Sequence, residues 1–548
     1  MYALLPSRFL PFIGCLLACA LSVALGILWG GVAWTVVAAV TGAFSALGIY
    51  DLVQHKNTLR RNFPMTAHIR TFFEFFRPML RQYIVESDTE EVPFSHVQRS
   101  IVYQRAKNIE DARPFGTELP VYANNYEWIN HSMAPAKIAS ADFRIDIGGD
   151  SCTQPYSASV FNISAMSFGS LSANAIRALN EGARRDNFYH DTGEGSLSPY
   201  HREMGGDVCW EIGSGYFGCR NDDGTFNMEK FATTAKLAQV KMIEIKLSQG
   251  AKPGHGGMLP AAKITREIAE TRHIPMGVDC ISPSSHSAFT TPQGLLEFIA
   301  SLREQSGGKP TGFKLAVGHP WEWFGIAKAM QKSGIYPDFI VVDGGEGGTG
   351  AAPLEFTDHV GAPLAEALLL VHNTLVGLNL RNKIRLGASG KIITAFDIAR
   401  TMALGADWCN AARGFMFALG CIQSRNCHTD RCPTGVATQD PSRWKKLNVP
   451  DKAERVKMFH HNTLRALKAM IGAAGLNHPI EIGPEHVMRR ISSTEVRSLS
   501  ALYRFVKPGE LIDGLPDQPV FKVFWDAARS DSFAPPNYVL ELHHTKTR

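Results

Sequence analysis

Charged side chains are missing from one long stretch near the start of the chain, although the charge elsewhere is ordinary. Of the 548 residues, 20% are charged, and the formal net charge is +5. The chain has no long basic block, so we expect no nucleic-acid partner. Hydrophobic residues make up 45% of the chain and aromatic residues 10%, which excludes a disordered or fibrous protein.

The uncharged stretch runs from Phe9 to Tyr50. It is too long for one membrane span, but Gly30 and Gly31 divide it into two segments of about 20 residues, each able to cross a bilayer core of ~30 Å. We predict a transmembrane helical hairpin over residues 1–54, with spans at about 9–29 and 31–50. The alternatives are a cleaved signal peptide, with its cleavage site at Ala18-Cys19-Ala20, and buried globular helices.

Basic residues flank this hairpin on its two outer sides. Arg8 precedes the first span, no basic residue lies between the spans, and the second span is followed by His55, Lys56, Arg60 and Arg61. The positive-inside rule then predicts that both ends, and everything after residue 54, are cytoplasmic. We expect a multi-pass protein of the cell (inner) membrane with a cytoplasmic catalytic domain.

The chain beyond the hairpin alternates strand-like and helix-like segments. Residues 151–440 contain eight such alternations, which predict an α/β fold of the (β/α)8 TIM-barrel type. We place the barrel strands at residues 159–168, 188–195, 242–250, 276–283, 311–318, 338–348, 384–391 and 407–415. Residues 209–220 read as a hairpin excursion after the second strand. Residues 55–150 predict a helical and irregular N-terminal extension, and residues 441–548 a mostly helical C-terminal one.

Glycines follow the sixth and seventh predicted strands, at the end of a barrel where active sites lie. Loops with so few Cβ atoms let backbone N–H groups approach an anionic oxygen closely. We predict phosphate binding there, and plain turn glycines are the alternative. The residues concerned are Gly344, Gly345, Gly347, Gly348 and Gly350 after the sixth strand, and Gly387, Ser389, Gly390 and Lys391 after the seventh.

The ten cysteines are unevenly distributed. Cys421, Cys427 and Cys432 fall within twelve residues, a spacing that favours a common ligand over disulfides. The other cysteines are dispersed, and in a reducing compartment they are expected to be buried thiols.

Five segments resemble the flavin domain of the glutamate synthase large subunit: ISAMSFGSLS, DTGEGS, KLSQGAKPGHGG, DGGEGGTGA and CIQSRNCHTDRCPTGVATQDP. The last segment is long and distinctive, and the resemblance covers roughly residues 95–450. It identifies the chain as similar to membrane-tethered relatives that carry the synthase domain alone. It implies an FMN-binding (β/α)8 barrel with a 3Fe–4S cluster.

The resemblance assigns Cys421, Cys427 and Cys432 to the cluster. Thiolates suit iron–sulfur clusters, and three cysteines without a nearby fourth fit a cluster that lacks one iron. A zinc site with His428 as fourth ligand is one alternative, although His428 adjoins Cys427 and cannot easily bind the same ion. Structural thiols are the other.

The resemblance also implies that FMN lies at the mouth of the barrel. Met166 and Ser167 would face the isoalloxazine ring, and Gln249 would address its pyrimidine edge. Lys314 would place a positive charge near the N1–O2 region, where it stabilises the reduced flavin. A snorkelling surface lysine is the alternative for Lys314. The implied phosphate ligands are Gly345, Gly347, Gly348, Gly390 and Lys391.

Lys252, Arg272 and Glu194 match the family's 2-oxoglutarate site, where cationic groups hold the carboxylates. The family reads KPGEGGQ, whereas this chain has His255 in place of the glutamate and Met258 in place of the glutamine. The match at the substrate is therefore incomplete, and a plain surface-loop histidine is the alternative for His255.

These residues predict a glutamate synthase-like flavin and iron–sulfur oxidoreductase. It would reduce a 2-imino acid, formed from 2-oxoglutarate and ammonia or an amine, to an amino acid. Because the chain begins Met1-Tyr2 and enters the predicted hairpin at once, we expect no glutaminase domain of the family's kind. The spacing G-x-G-x-x-G occurs at Gly213–Gly218 and Gly345–Gly350, which we assign to the hairpin excursion and to a flavin phosphate loop, so we expect no dinucleotide site. We therefore expect a separate electron donor, a ferredoxin or a reductase subunit. The alternatives are a membrane-associated amino-acid or amine dehydrogenase that reduces quinone, and a non-catalytic electron-relay subunit.

Overall fold

The computed structural model describes residues 7–54, 57–87, 89 and 93–536. The chain forms two compact units, Met1–His96 and Val97–Arg548. His55 and Lys56, on which the predicted orientation of the hairpin partly depends, lie outside the described residues, as do residues 537–548 of the predicted C-terminal extension.

Two long apolar helices open the first unit, α1 (Leu10–Trp29) and α2 (Val32–Val53). They pack closely because small residues face each other: a Cβ on Gly42 would lie 3.6 Å from the Sγ of Cys19. By length and composition both helices could cross a membrane. They are consistent with the predicted hairpin, although a signal sequence or core helices would satisfy the same criteria.

The rest of the first unit is helical. A short helix, Thr58–Asn62, is capped by the side chain of Asn57, which accepts from the N–H of Arg60. Helix α3 (Ala67–Leu80) follows and continues directly into a π-helical turn, Arg81–Val85.

The second unit is built on a closed barrel of eight parallel strands, which confirms the predicted fold class. The strands are β1 (Phe161–Ile163), β2 (His190–Asp191), β3 (Val208–Ile212), β4 (Val240–Lys246), β5 (Thr311–Leu315), β6 (Phe339–Asp343), β7 (Arg385–Ser389) and β8 (Trp408–Ala411). The barrel closes where β8 pairs with β1, with Asn410 opposite Asn162. All strands run in one direction, so their carboxyl ends meet at one mouth.

Helices connect the strands. The longer ones are α4 (Ala173–Arg185), α5 (Met228–Ala235), α6 (Pro292–Gln305), α7 (Pro320–Ser333), α8 (Leu364–Gly377), α9 (Ala395–Ala403) and α10 (Val449–Ala473). The 11-residue helix His96–Ala106 precedes the barrel. Shorter helices lie at Pro199–Met204, Arg266–Arg272, Leu354–His359, Arg413–Ala418, Pro441–Trp444, Leu499–Leu502, Glu510–Asp513 and Pro519–Phe524. Helix α10 packs tightly on α4, because a Cβ on Gly182 would overlap Val456 and the carbonyl of Ala453.

The predicted positions of two strands are wrong. The third barrel strand is β3, within the segment predicted as a hairpin excursion, so residues 242–250 supply the fourth strand rather than the third. The predicted fourth strand lies outside the barrel: Cys280–Ile281 pairs antiparallel with Met258–Leu259. All five residues of β3 are buried, whereas Met276, Val278 and Ile281 are exposed.

The two extensions of the barrel pair with each other. Glu127–Ile129 pairs antiparallel with Val487–Arg490, which also pairs with Val496–Ser498. Arg144–Ile147 and Tyr156–Ser159 form a separate antiparallel pair just before β1.

Candidate active site

Most of the predicted site residues converge on the mouth of the barrel, whereas Lys314 lies in its interior. Met166 and Ser167 follow β1, Glu194 follows β2, and Gln249 and Lys252 follow β4. The glycines of the predicted phosphate loops follow β6 and β7.

The centre of the mouth holds a buried carboxylate among cations. The Nζ of Lys246 lies 3.3 Å from the Oε1 of Glu194. Burial alone would raise the pKa of Glu194, but Lys246, Lys252 and Arg272 outweigh it and hold that pKa below its usual value. Glu194 is therefore ionised at neutral pH.

Two glycines make room for this carboxylate. A Cβ on Gly257 would overlap the Glu194 carboxylate, and a Cβ on Gly213 would lie 2.9 Å from its Oε2. Any larger residue at Gly257 would displace Glu194 from the cations.

Lys246 was not among the predicted site residues. It ends β4 and donates to the Oε1 of Gln249 at 3.1 Å as well as pairing with Glu194. Side chains two residues apart on a strand share a face, so Glu244 and Lys246 both point into the barrel. Two charges on one face of the strand, Glu244 and Lys246, were the signal that would have identified Lys246.

Lys252 reaches across the mouth. Its Nζ donates to the carbonyl of Ala351 in the loop after β6, at 3.2 Å. Burial, with the nearby charge of Lys246, lowers the pKa of Lys252 to about 8. Lys252 can therefore change its charge near physiological pH.

Arg272 joins the group from the short helix Arg266–Arg272. One terminal nitrogen donates to the Oγ of Ser167 at 3.2 Å and to the carbonyl of Phe168 at 2.9 Å. Its guanidinium lies over the ring of Phe217, 5.1 Å from the centroid. Its buried Nε has no hydrogen-bond partner among the residues that the structure describes.

The loops after β4, β6 and β7 are fixed to one another. Asp343 accepts from the N–H of Gly250 at 2.7 Å and from the Oγ of Ser389 at 2.5 Å. The side chain of Gln249 donates to the carbonyl of Gly348 at 3.0 Å. The predicted flavin ligands Gln249 and Gly348 are thereby brought together.

The predicted phosphate loop after β6 contacts a second cation that was not predicted from the sequence, Arg413. It follows β8 and donates to the carbonyl of Glu346 at 2.7 Å. A Cβ on Gly348 would lie 2.8 Å from its Nε, so only glycine fits there. Gly390 and Lys391 both have positive φ, +153° and +50°, which turns the backbone sharply after β7. Bare backbone beside a guanidinium suits a phosphate.

Lys314 lies in the barrel interior with three carboxylates. Its Nζ pairs with Glu211 and lies 3.2 Å from Glu244, and one oxygen each of Asp191, Glu211 and Glu244 lie within 4.8 Å of one another. Burial raises the pKa of Asp191 to about 7, and Glu211 adds to the rise. Although burial opposes it, Glu211 and Glu244 hold the pKa of Lys314 well above its usual value. We call these four residues the core quartet.

The three predicted cluster cysteines occupy the segment that follows the helix Arg413–Ala418. The Sγ of Cys432 lies 3.5 Å from the Oγ1 of Thr434. Burial would raise the pKa of Cys432, but that hydroxyl and the N–H groups of Thr434, Val436 and Ala437 together lower it. Burial raises the pKa of Cys421 to about 12, and the thiols of Cys427 and Cys432 are close enough to contribute.

This donor set fits an iron–sulfur cluster better than zinc. N–H groups directed at sulfur are the usual environment of a cluster thiolate. His428, the fourth ligand of the zinc alternative, is exposed.

The cysteine segment is tied to the mouth of the barrel through the loop after β1. Lys263 donates to the carbonyls of Cys427 at 3.1 Å and Ser170 at 2.9 Å. The side chain of Gln439 donates to the carbonyls of Gly169 and Leu171. One loop therefore contacts both the cysteine segment and, at Ser167, Arg272.

Residues 134–477 match a family model described as the conserved region in glutamate synthase. The chain is 36% identical over 505 residues to the glutamate synthase large subunit-like protein YerD of Bacillus subtilis, covering 84% of this chain and 96% of that relative. It is 36% identical over 314 residues to an archaeal-type glutamate synthase (NADPH) of Thermotoga neapolitana, covering 57% of this chain and 59% of that relative. A solved structure of flavocytochrome b2 with sulfite bound has a TM-score of 0.41 and 13% identity, covering 82% of this chain and 92% of that one, a likeness too loose to bear on function.

Proposed function

This chain belongs to the glutamate synthase family and is an oxidoreductase, and we propose that it reduces a 2-imino acid to an amino acid with FMN and a 3Fe–4S cluster. The imino acid would form from 2-oxoglutarate and ammonia or an amine, with loss of water. The observation that carries this proposal is the group of Lys246, Lys252 and Arg272 around the single carboxylate of Glu194 at the barrel mouth. A subunit that only relays electrons needs no such excess of buried positive charge.

The cations would bind the oxo acid, and Glu194 would orient the nitrogen. A carboxylate of the substrate needs charge-assisted donors, which the ammonium of Lys252 and the guanidinium of Arg272 supply. Because Glu194 stays ionised, it can accept an N–H of the protonated imine. Reduction of the C=N bond then takes two electrons and a proton.

FMN would lie across the same mouth. Met166, Ser167 and Gln249 would contact the ring, and its phosphate would bind Gly345, Gly347, Gly348, Gly390 and Lys391, with Arg413 as an added cation. When bound, FMN supplies two-electron chemistry at this mouth. The support from this chain is the bare backbone beside Arg413. Lys314 would act on the flavin only as part of the core quartet, because the carboxylates of the quartet largely offset the positive charge of Lys314.

Cys421, Cys427 and Cys432 would hold the 3Fe–4S cluster, where electrons from a separate donor, a ferredoxin or reductase subunit, arrive. The lowered pKa of Cys432 supports thiolate ligation. The loop from Ser167 to Leu171 lies between the residues that would hold the cluster and those that would hold the flavin, since Lys263 and Gln439 donate to its carbonyls.

The helices α1 and α2 would anchor the enzyme in the cell membrane, with the catalytic unit in the cytoplasm. Their length, their lack of charge and Arg8, Arg60 and Arg61 on the outer flanks support this topology.

The proposal is tested by the anaerobically reduced holoprotein. Addition of 2-oxoglutarate and ammonium should restore the oxidised flavin absorption, and neither compound alone should do so. Lys252→Gln should slow this reoxidation by roughly 30-fold or more, the loss expected for an unpaired charge in a closed site. Lys309→Gln is a matched control, because Lys309 is also buried and burial lowers its pKa to about 8. Lys309 lies just before β5 and donates to the carbonyls of Ala235 and Leu237 instead. Equal rates in both variants would exclude the substrate role of Lys252.

A second candidate function is an amino-acid or amine dehydrogenase that passes electrons to quinone. The two apolar helices favour it, because they would bring the enzyme to the quinone pool. Reduction of the oxidised flavin by an amino acid, with no reoxidation by 2-oxoglutarate and ammonium, would support this candidate over the first.

A further inference from the structure

Helix α3 and the π-helical turn after it expose an unusual number of large apolar side chains. Phe72, Phe73 and Phe75 are 57%, 58% and 65% exposed. The exposed set on these two elements is Ile69, Phe72, Phe73, Phe75, Met79, Leu80, Tyr83, Ile84 and Val85. Contiguous apolar surface of this size marks an interaction site.

The apolar side chains of α3 share one face. At about 100° per residue, those from Ile69 to Leu80 fall within an arc of roughly 160°. Arg70, Glu74 and Arg77 lie on the opposite arc, where they form only loose ion pairs of 3.9–4.0 Å. The helix is thus sharply amphipathic, with aromatic residues on one side and arginine on the other.

The start of α3 is attached to the end of the hairpin. Asp51, in the last turn of α2, is fully buried and accepts from the N–H of Met65 at 3.0 Å. It also lies 2.9 Å from the Nε2 of His68 in the first turn of α3. The apolar surface of α1 and α2 therefore ends at the level where the apolar face of α3 begins.

The segment is also basic. Residues 57–87 contain five arginines, Arg60, Arg61, Arg70, Arg77 and Arg81, against two acidic residues, Glu74 and Glu86. Aromatic residues on one face with arginines on the other are the composition of helices that lie in the boundary of an anionic membrane.

We propose that α3 and the turn Arg81–Val85 lie flat in the membrane interface, with the aromatic face among the acyl chains and the arginines at anionic phospholipid headgroups. This inference rests on the proposed membrane hairpin, since the attachment at Asp51 sets the depth of the helix. The occupant of the apolar face is lipid, because that face continues the exposed apolar surface of the hairpin and carries basic flanks.

The test uses the full chain in vesicles of phosphatidylcholine and phosphatidylglycerol, with p-benzoylphenylalanine at one position at a time. At Phe72, in the middle of the apolar face, the photoproduct should be a lipid adduct, as at Val36 in the hairpin. At Thr71, the matched neighbour on the polar face, the lipid adduct should be several-fold weaker.

The positions separate the two ways of failing. Lipid adducts at Val36 with none at Phe72, or a protein adduct at Phe72, would overturn the interfacial helix and leave the hairpin intact. Absence of lipid adducts at Val36 would instead overturn the proposed hairpin, and with it this inference.

Charge variants test the preference for anionic lipid. Arg70→Gln, Arg77→Gln and Arg81→Gln together should lower the Phe72 lipid adduct several-fold in the mixed vesicles and little in pure phosphatidylcholine. Glu74→Gln on the same helix should change it in the opposite direction. Equal adducts in both vesicles for the parent chain would contradict the role of the arginines.

Discussion

Lys252 is the side chain whose charge matters most to the proposed substrate site. Burial lowers its pKa to about 8, so the ammonium is lost as the pH rises through that value. The Kd for 2-oxoglutarate should therefore be flat below pH ~8 and rise roughly tenfold per pH unit above it. Calorimetric titration of the oxidised holoprotein measures this dependence. Lys252→Arg should remove the rise, because arginine stays charged throughout. A rise that persists in Lys252→Arg would assign the titration to another group.

Met258 occupies the position where the family has a glutamine. It lies half-buried on the short strand Met258–Leu259, six residues after Lys252. Met258→Gln restores the amide and should increase kcat/KM for 2-oxoglutarate. The same change should lower kcat/KM for oxo acids with apolar side chains. A hydrogen bond to a charged group contributes ~1.5–3 kcal/mol, or roughly 10-fold or more in kcat/KM. An unchanged ratio between the two classes of oxo acid would show that residue 258 does not contact the substrate.

Cys427 tests the assignment of the cluster. Cys427→Ser should remove the iron and its visible absorption but leave FMN bound, since the phosphate loops follow other strands. Cys152→Ser is the matched control, because Cys152 is also half-buried and its thiol donates to the carbonyl of Gly308, away from the cysteine segment. The iron and FMN contents of each variant, measured on protein purified without oxygen, test this prediction. Zinc in the parent protein, or full iron in Cys427→Ser, would contradict the assignment.

At the level of elements, the core quartet joins β2, β3, β4 and β5 through charge rather than apolar packing. Removing one partner of a buried ion pair typically costs about 3–5 kcal/mol, because the other charges stay buried without compensation. Lys314→Met should therefore lower the thermal midpoint by roughly 3–5 °C, given an unfolding entropy of ~2.1 cal/mol/K per residue in a unit of this size. The double variant Lys314→Met/Glu211→Gln should recover part of the loss.

The control for this prediction is Lys522→Met. Lys522 pairs with Asp517 at 2.5 Å, but its side chain is 56% exposed and that of Asp517 89%. Exposed pairs contribute little, so its midpoint should stay unchanged. If Lys314→Met behaved like Lys522→Met, the quartet would not stabilise the barrel.

The core quartet also explains why β3 was not predicted to be a barrel strand. In VCWEI of β3 every residue is buried, including Glu211, because Lys314 compensates its charge. Because Glu211 is charged and is followed by Gly213 and Gly215, the sequence of this segment is typical of a surface hairpin. Only its partner Lys314 on β5 shows that Glu211 is buried. The segment around Met276–Ile281 has the apolar pattern of a strand yet lies on the surface, since a pattern does not reveal what covers it. Six of the eight barrel strands were assigned in the correct order, because apolar runs with helices between them suffice for those.

The same reasoning applies to the site. The carried-over residues that follow the strands converge on one mouth, because parallel strands bring their carboxyl ends together, whereas Lys314 lies inside the barrel. Lys246 and Arg413 were missed, since each gains its meaning from a partner in the loop after another strand: the carboxylate of Glu194 for Lys246 and the carbonyl of Glu346 for Arg413.

For the whole molecule, the proposed function requires that electrons flow toward the oxo acid, and in the ammonia form of the reaction ammonium supplies the nitrogen. The direct measurement is a single turnover of the reduced, full-length holoprotein with 2-oxoglutarate and ¹⁵N-ammonium, analysed by mass spectrometry. The account predicts ¹⁵N-labelled glutamate in an amount equal to the electron pairs held by the protein. Absence of labelled glutamate, together with reduction of the oxidised protein by glutamate itself, would contradict it and identify a dehydrogenase that works in the opposite direction.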